Sequence, residues 1–432
     1  MARPPIGRGP GWLLDAALLL CLLALAAQLI PLPASLRDRL APQAFAVDRV
    51  VALDPDPPIH PPHPLTVDAD ATAWALALAA AWLGAFWCAR AIFSRGGLRT
   101  TVRGVAWLGL GLTTLVAVQR ATSPALLYWT WKPLSIGASP YGPFVNRNSL
   151  ASWLTMAVPL VIGYTIARHQ SRQRADGGSI PGESLDATQL WLAASVILMT
   201  GGLLASMSRA GILGGGIGLM AFIAFSRRRM RGGRGVAVMI AGLGAMVLIA
   251  SMYANLAQLA MRLKETTEQG EWGRPAIWRD TWRMSSDFLL TGVGAGAFQR
   301  AMLVYQEGSR LFFFNHAHNE YLQVLAEGGL LVVVPASIAA LAAMVLMARS
   351  LRADRTPIFW VRAGAIAGLI AVAVQSIWDT GLRMPANGML FAVIAAIALH
   401  PPRPTTPRPA SPAPARDRSA RSEGEPSWHW TP

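Results

Sequence analysis

The sequence predicts an all-helical polytopic membrane protein with about ten (10–12) transmembrane helices. Of its 432 residues, 53% are hydrophobic and only 14% are charged, whereas about 25% of residues are charged in soluble domains. Long apolar runs also recur, beginning with WLLDAALLLCLLALAAQLI at 12–30. One soluble core cannot bury so many long apolar runs. Backbone polar groups in lipid must be satisfied within their own segment, so we expect each run to be a helix.

The apolar runs give ten candidate spans. They cover residues 12–30, 72–93, 104–121, 149–167, 188–206, 210–225, 236–254, 322–347, 361–379 and 386–399. The first run is too long for the core of a secretory signal, and no clear cleavage site follows it, so we interpret it as a membrane anchor. We treat residues 1–400 as one transmembrane domain. The proline-rich, polar tail at 401–432 is expected to be disordered.

The distribution of arginine predicts the orientation of the chain. A net charge of +15 would suggest a nucleic-acid partner in a soluble protein, but here many of the arginines lie in short loops between apolar runs. The arginine-rich loops, all on one side of the predicted topology, are 94–103, 168–187, 226–235 and 349–358. The positive-inside rule therefore places both termini in the cytoplasm and the long loop 255–321 on the outer side. No nucleic-acid partner is expected.

Unusual polar residues cluster at the predicted outer side instead of the membrane midplane. Ion-coupled transporters usually need charges near the midplane, and the predicted spans have almost none there. Most arginines of the 255–321 loop are explained equally well by a solvated surface. Arg209 differs because it lies between a span and the glycine-rich segment AGILGGGIG. A guanidinium at such a junction either clamps a phosphate or marks the membrane interface.

The segment NHAHNEYLQVLAEGG at 315–329 carries polar residues into the eighth predicted span. Four of them have the spacing of one helical face: His316, Glu320, Gln323 and Glu327. A polar stripe of this kind normally faces a bundle interior or a cavity. If the helix begins before His316, His318 points to nearly the opposite side, so one histidine is expected to face the cavity and the spacing does not decide which. Imidazole suits a general base; the alternative is a capping or interfacial role, and Asn315 or Asn319 would also cap the helix.

Three sequence patches resemble the O-antigen ligase and polymerase superfamily of bacterial envelope glycosyltransferases. They are GPFVNRNSLASWLTMAVPL at 142–160, SMSRAGILGGGIGL at 206–219, and GRPAIWRDTWRMSSDFLLTGVGAGAF at 273–298, which is followed by HAHNEYLQVLAEGGL. The ligase pattern near the histidine is His-Asn, nine residues, Gly, two residues, Gly. His318, Asn319 and Gly329 match this pattern, but Val332 stands in place of the last glycine. That departure weakens the resemblance to ligases more than the resemblance to the superfamily.

The resemblance implies a membrane glycosyltransferase of the C-type architecture that uses no metal ion or other cofactor. It implies a donor glycan on undecaprenyl pyrophosphate and an acceptor that is either a lipid A–core sugar, in a ligase, or another lipid-linked glycan, in a polymerase. The chain would lie in the bacterial inner membrane with its active site on the periplasmic face. By this resemblance His318 is the catalytic base, and Arg209 and Arg274 bind the pyrophosphate. Further candidates for supporting roles are Asn146, Asn148, Arg279, His316, Asn319 and Glu327.

Two other classes of function remain open from the sequence. A metal-dependent glycosyltransferase would use acidic pairs in the first outer loop, where Asp54-x-Asp56 and Asp68-x-Asp70 occur, although the surrounding sequence favours a solvated loop. A flippase or transporter for lipid-linked glycans would instead carry charges along a central cavity through several spans.

Overall fold

A computed structural model of the protein describes residues 11–51, 63–133, 140–175, 186–227, 229, 244, 274–307 and 313–401. Within these ranges the regular structure is helical, which confirms the predicted fold class, and seven helices are long and apolar enough to cross a membrane. Two shorter apolar helices accompany them. The count of about ten spans stays a prediction, because the expected span 236–254 lies outside the described residues. The tail beyond residue 401 lies outside them as well.

The described helices are numbered here in chain order. They are α1 (Trp12–Ala27), α2 (Ala34–Leu40), α3 (Ala44–Val51), α4 (Ala69–Ser94), α5 (Leu98–Thr122), α6 (Arg147–Ala175), α7 (Ala187–Ala205), α8 (Arg209–Arg227), α9 (Arg274–Asp287), α10 (Phe298–Tyr305), α11 (Glu320–Ala353), α12 (Ile358–Gln375) and α13 (Pro385–Ala398). The candidate spans are α4 to α8, α11 and α12, and the shorter apolar helices are α1 and α13. A single 3-10 turn, Gly381–Arg383, precedes α13.

Helix α12 is at the centre of the bundle, where it packs against α6, α8 and α13. Its contact with α6 depends on small residues on both helices. A Cβ atom at Gly163 would lie 2.2 Å from the carbonyl oxygen of Trp360, and one at Gly364 would lie 2.2 Å from that of Pro159. Small residues let helix backbones approach closely, which is how membrane helices gain packing energy without a hydrophobic driving force.

The segments expected to be solvated loops form a second, smaller hydrophobic core. Helices α2 and α3 come from the first predicted loop, and α9 and α10 come from the long predicted loop 255–321. The buried residues of this core include Ala41, Ala44, Val47, Val67, Ile277, Met284, Phe288, Val293, Phe298, Ala301 and Met302. These segments therefore contain helices with a buried face, while the arginines of α9 remain exposed. Buried positions recur three to four residues apart on α9 and α10, which gives each helix one buried face.

One end of the bundle, called the site end, is where α1 ends and where α4, α6, α8, α11 and α13 begin. The buried side chain of Gln28, just after α1, joins three segments there. Its Nε2 donates to the carbonyl oxygens of Thr291 (2.7 Å) and Glu327 (2.9 Å), and its Oε1 accepts from the backbone N–H of Ala295 (3.0 Å). Gly292 has φ 68° and would place a Cβ atom 2.2 Å from the carbonyl oxygen of Glu327. The loop between α9 and α10 thus packs directly on α11, close to the kink in that helix at Gly329.

Candidate active site

The start of α11 decides how the two histidines are presented. The helix begins at Glu320, and the side chain of Asn319 caps it by accepting from the backbone N–H of Leu322 at 3.0 Å. The capping prediction for Asn319 is confirmed. Both His316 and His318 precede the helix, so the helical stripe does not include His316. Both histidines line the same cavity, and the expectation that only one faces it is wrong.

The histidine loop is held from both sides at Ala317. The indole N–H of Trp278 donates to the Ala317 carbonyl oxygen (2.9 Å), and the Ala317 backbone N–H donates to Oε1 of Gln323 (2.5 Å). His318 follows with φ 52°, a left-handed conformation that non-glycine residues adopt only when their surroundings hold them there. Trp278 lies one turn after Arg274 on α9, so the helix that begins with Arg274 also positions the histidine loop.

A cavity of about 790 Å³ opens beside this loop at the site end. One wall is apolar and is formed by Leu25, Trp74, Leu78, Trp82, Val324 and Val332. The polar part of the lining, called the polar wall, is formed by His316, His318, Glu320, Glu327, Asp379 and Arg383. Asn146 also lines the cavity. An amphiphilic ligand therefore has a complementary surface for each of its parts.

Arg383, in the 3-10 turn before α13, ties the polar wall together. Its NH1 atom is 2.7 Å from Oε2 of Glu327, and its Nε is 3.2 Å from Oε1 of Glu320. Burial lowers the pKa of Arg383, but the two carboxylates together raise it above the ordinary value. Glu327 also accepts from Nε2 of Gln323 at 2.9 Å. Glu327, which the sequence suggested as a supporting residue, thus bonds Arg383 and the side chain that holds the histidine loop.

Asp379 is a cavity residue that the sequence analysis placed at the end of a span. Helix α12 ends at Gln375 instead, so Asp379 lies in the connection to α13. The predicted boundary at 379 is wrong because the chain turns as soon as polar residues begin. Burial raises the pKa of Asp379. The Thr380 N–H, the Arg274 charge and the Asn148 side chain each lower this pKa, but burial has the larger effect. The polar segment DTGLR at 379–383 interrupts the apolar sequence before α13. This interruption was the sequence signal that could have identified Asp379 and Arg383 as site residues.

Arg209 and Arg274 lie together beside the cavity. Arg209 begins α8 and Arg274 begins α9, and both side chains remain open to solvent. Partial burial lowers the pKa of the Arg274 guanidinium; Asp379 opposes that shift and the neighbouring charge of Arg209 adds to it. The positive end of the α8 dipole adds to the field at Arg209. Residues from two separate sequence patches therefore form one cationic site.

Both histidines are neutral at pH 7. Burial lowers the pKa of His318, and the positive charge of Arg274 lowers it further. Burial lowers the pKa of His316 to about 4, with a further contribution from Arg383. In the described part of the chain, Nδ1 of each ring has no hydrogen-bond partner. Each imidazole is therefore in the form that accepts a proton.

The remaining candidates divide between the site and the surface. Asn148 acts on the Asp379 carboxylate. Arg279 is exposed on α9 and is absent from the described lining of the cavity. Asp68 caps α4 by accepting from the Ala71 N–H at 3.0 Å, which gives one acidic pair of the first loop a structural role. The other pair, Asp54-x-Asp56, lies outside the described residues. Among the residues that are described, no cluster of three or more His, Cys, Asp or Glu residues has the geometry of a metal site.

The fold and the site describe a multi-pass membrane protein with a polar cavity at one end of its helical bundle. Residues 194–337 match the family profile described as O-antigen ligase. This match supports the O-antigen ligase and polymerase superfamily that the motifs predicted. The matched range contains the second and third sequence patches, with Arg209, Arg274 and His318, and the first patch lies outside it. A comparison with curated proteins found no match.

Replacing Trp278 with phenylalanine tests how the histidine loop is held. Phenylalanine fills the space but cannot donate to the Ala317 carbonyl oxygen, so glycan transfer should fall about tenfold for one lost hydrogen bond. The acid limb of the pH–rate profile should move to higher pH, because a loosened His318 is less buried and its pKa rises. Trp282→Phe is the control, since Trp282 lies on the same helix with 60% of its surface exposed. Equal behaviour of the two variants would contradict the positioning role of Trp278.

Replacing Glu327 with glutamine tests the contribution of the Arg383 network to stability. The variant leaves a largely buried guanidinium with one carboxylate in place of two. Loss of such a charged hydrogen bond should lower the free energy of unfolding by about 2 kcal/mol. The measurement is thermal unfolding of the purified protein in detergent. Glu307→Gln is the control, because Glu307 pairs with Arg283 on the surface with 60% of its side chain exposed; a surface pair contributes only about 0–1 kcal/mol. Similar losses in both variants would show that the network is not structural.

Proposed function

We propose that this protein transfers a glycan from undecaprenyl pyrophosphate to a hydroxyl group of a lipid A–core sugar, in the manner of an O-antigen ligase. One arrangement carries the proposal. Two arginines from separate helices, Arg209 and Arg274, lie together beside a cavity that contains the neutral imidazole of His318. This is the minimum set for group transfer from a pyrophosphate: cations for the leaving group and a base for the acceptor.

The reaction needs one bond to form and one to break. His318 takes the proton of the acceptor hydroxyl as its oxygen attacks the anomeric carbon of the donor sugar. The bond from that carbon to the pyrophosphate oxygen breaks, and the electron pair leaves with undecaprenyl pyrophosphate. Arg209 and Arg274 stabilise the negative charge that develops on the phosphate oxygens. The proton then passes from His318 to water, which restores the neutral base.

The two walls of the cavity suit the two parts of such a donor. The apolar side chains of α4, with Leu25 of α1, offer a surface for the first isoprene units of the lipid. The polar wall offers hydrogen-bond acceptors for sugar hydroxyls. In this proposal the arginines take the place of a metal ion, the site end faces the periplasm of a bacterial inner membrane, and both termini lie in the cytoplasm.

A second candidate function is polymerisation, in which the acceptor is another lipid-linked glycan. Val332 favours it, since this residue stands where the ligase pattern has glycine and its side chain lines the cavity. A flippase is the candidate of another class. In the described part of the chain the buried charged side chains lie toward the two ends of the bundle, with Glu327 at the site end and Asp15 and Arg362 at the other. Charges that do not follow a path between the two ends argue against transport.

The test uses the purified protein in lipid nanodiscs with an undecaprenyl-pyrophosphate-linked glycan and lipid A–core. Mass spectrometry should detect glycan attached to lipid A–core, and chelation by EDTA should not abolish its formation. Extension of the glycan on undecaprenyl pyrophosphate would establish the polymerase instead. In proteoliposomes, movement of the donor across the bilayer without any transfer would establish a flippase and refute the proposal.

A further inference from the structure

We infer that the polar wall of the cavity binds an uncharged sugar ring and discriminates against acidic sugars such as uronic acids. This inference rests on the proposed function and specifies the class of glycan that it uses. It depends on residues that take no part in the chemical step: Glu320, Glu327, Asp379 and Arg383.

Buried polar atoms without partners are concentrated on this wall. Asp379 is only 3% exposed, and its Oδ2 atom has no hydrogen-bond partner within the described ranges. The same holds for Oε2 of Glu320 and Nδ1 of His316. Buried polar groups in native proteins are nearly always paired. The Nε donor of Arg383 also lacks a hydrogen-bond partner within the described ranges. A ligand with both donors and acceptors would satisfy these atoms, and the hydroxyl groups of a sugar ring provide both.

The charge of the wall sets the class of sugar. Three carboxylates, those of Glu320, Glu327 and Asp379, line the cavity with one guanidinium, that of Arg383. Arg383 is already engaged by Glu320 and Glu327, and the two histidines are neutral. Arg274 acts on Asp379 from beside the cavity, so three carboxylates face two guanidinium groups and the formal charge of the wall remains negative.

Positive charge lies instead at Arg209 and Arg274, beside the cavity, where the pyrophosphate is proposed to bind. A carboxylate on the sugar itself would be repelled by the carboxylates of the polar wall, because water screens charges only weakly in such a cavity. A hydroxymethyl group at the same position would donate a hydrogen bond to them. The proposed phosphate site at Arg209 and Arg274 thus adjoins the polar wall through Asp379, and the carboxylates of that wall favour a neutral sugar.

The first experiment measures binding alone, with the purified protein in nanodiscs and free methyl glycosides. The probes are a methyl hexopyranoside and the methyl hexopyranosiduronate that differs from it only by a carboxylate in place of the hydroxymethyl group. Saturation-transfer NMR titrations should give a dissociation constant for the neutral glycoside about tenfold lower, the size expected of one unfavourable charge pair in a partly buried site. Equal binding of the two probes by the unaltered protein would overturn the inference.

Matched variants test whether the wall causes the preference. Glu320→Gln and Asp379→Asn each remove one negative charge at nearly constant volume, so each should narrow the difference between the two glycosides by about threefold or more. Glu307→Gln removes the same charge on the exposed surface and should leave the difference unchanged. A preference that persists at full size in both wall variants would overturn the inference.

A transfer experiment then identifies which sugar occupies the wall. In one arm the carboxylate is placed on the first sugar of the donor, and in the other arm on the acceptor sugar. If transfer is lost in one arm and partly restored there by Glu320→Gln, the sugar altered in that arm is the one that binds the polar wall. Transfer at full rate in both arms would contradict the inference. Absence of transfer from every donor would refute the proposed function. The sugar preference would still be tested, because the binding experiment with methyl glycosides requires no reaction.

Discussion

Replacing His318 with alanine is expected to lower the rate of glycan transfer by about 100- to 10,000-fold, the usual contribution of a positioned general base. The alanine variant keeps the donor site, because Arg209 and Arg274 lie on other segments. The measurement is the initial rate with saturating donor in membranes that contain matched amounts of protein. Donor affinity should change little.

His316→Ala is the matched control for this prediction. His316 lines the same cavity, but its pKa of about 4 makes it a weaker base than an ordinary imidazole. Its removal should reduce the rate by a smaller factor. Full activity of His318→Ala, or a larger loss in His316→Ala, would exclude His318 as the base.

The pH dependence follows from the same assignment. The base must be neutral, and the pKa of His318 is lowered from its ordinary value of 6.5 by burial and by Arg274. The rate should therefore be constant near neutral pH and fall as the pH drops through a pKa below 6.5. A rate that already falls above pH 6.5 would show that the titrating group is not this buried histidine.

Replacing Arg209 or Arg274 with alanine should reduce transfer by about ten- to a hundredfold, because a hydrogen bond to a charged group contributes about 1.5–3 kcal/mol. Lysine keeps the charge but loses the planar pair of donors, so each lysine variant should lie between the alanine variant and the unaltered protein. The loss should appear in donor affinity or turnover. Acceptor affinity should stay nearly constant.

Arg283→Ala is the control for the arginine variants. Arg283 lies on the same helix as Arg274 but pairs with Glu307, with 54% of its side chain exposed. Its replacement should have little effect on transfer. If Arg209→Ala and Arg274→Ala behave like Arg283→Ala, the two arginines do not bind the pyrophosphate.

The sequence alone determined the class of protein and the chemistry-bearing motifs. Hydropathy located each described span, with ends that differ from the observed helices by up to eight residues, as at 167 against Ala175. It succeeded because the cost of placing polar backbone in lipid acts on each segment separately. The motif around Arg209, Arg274 and His318 was equally local, and the family profile confirms the superfamily. The Asn319 cap could be predicted for the same reason, since it depends only on neighbouring residues.

Only the tertiary structure decided how the site is assembled. The sequence left open which histidine faces the cavity, because the answer depends on α11 beginning at Glu320 and not before His316. Arg383 pairs with Glu327, which is 56 positions earlier in the chain, and no local sequence pattern predicts such a pair. The second core was missed because its short helices bury their apolar faces against one another and against α11, which are contacts between distant segments. Hydropathy is a property of one segment, whereas a binding site is a property of contacts between segments, and these form only when the helices pack.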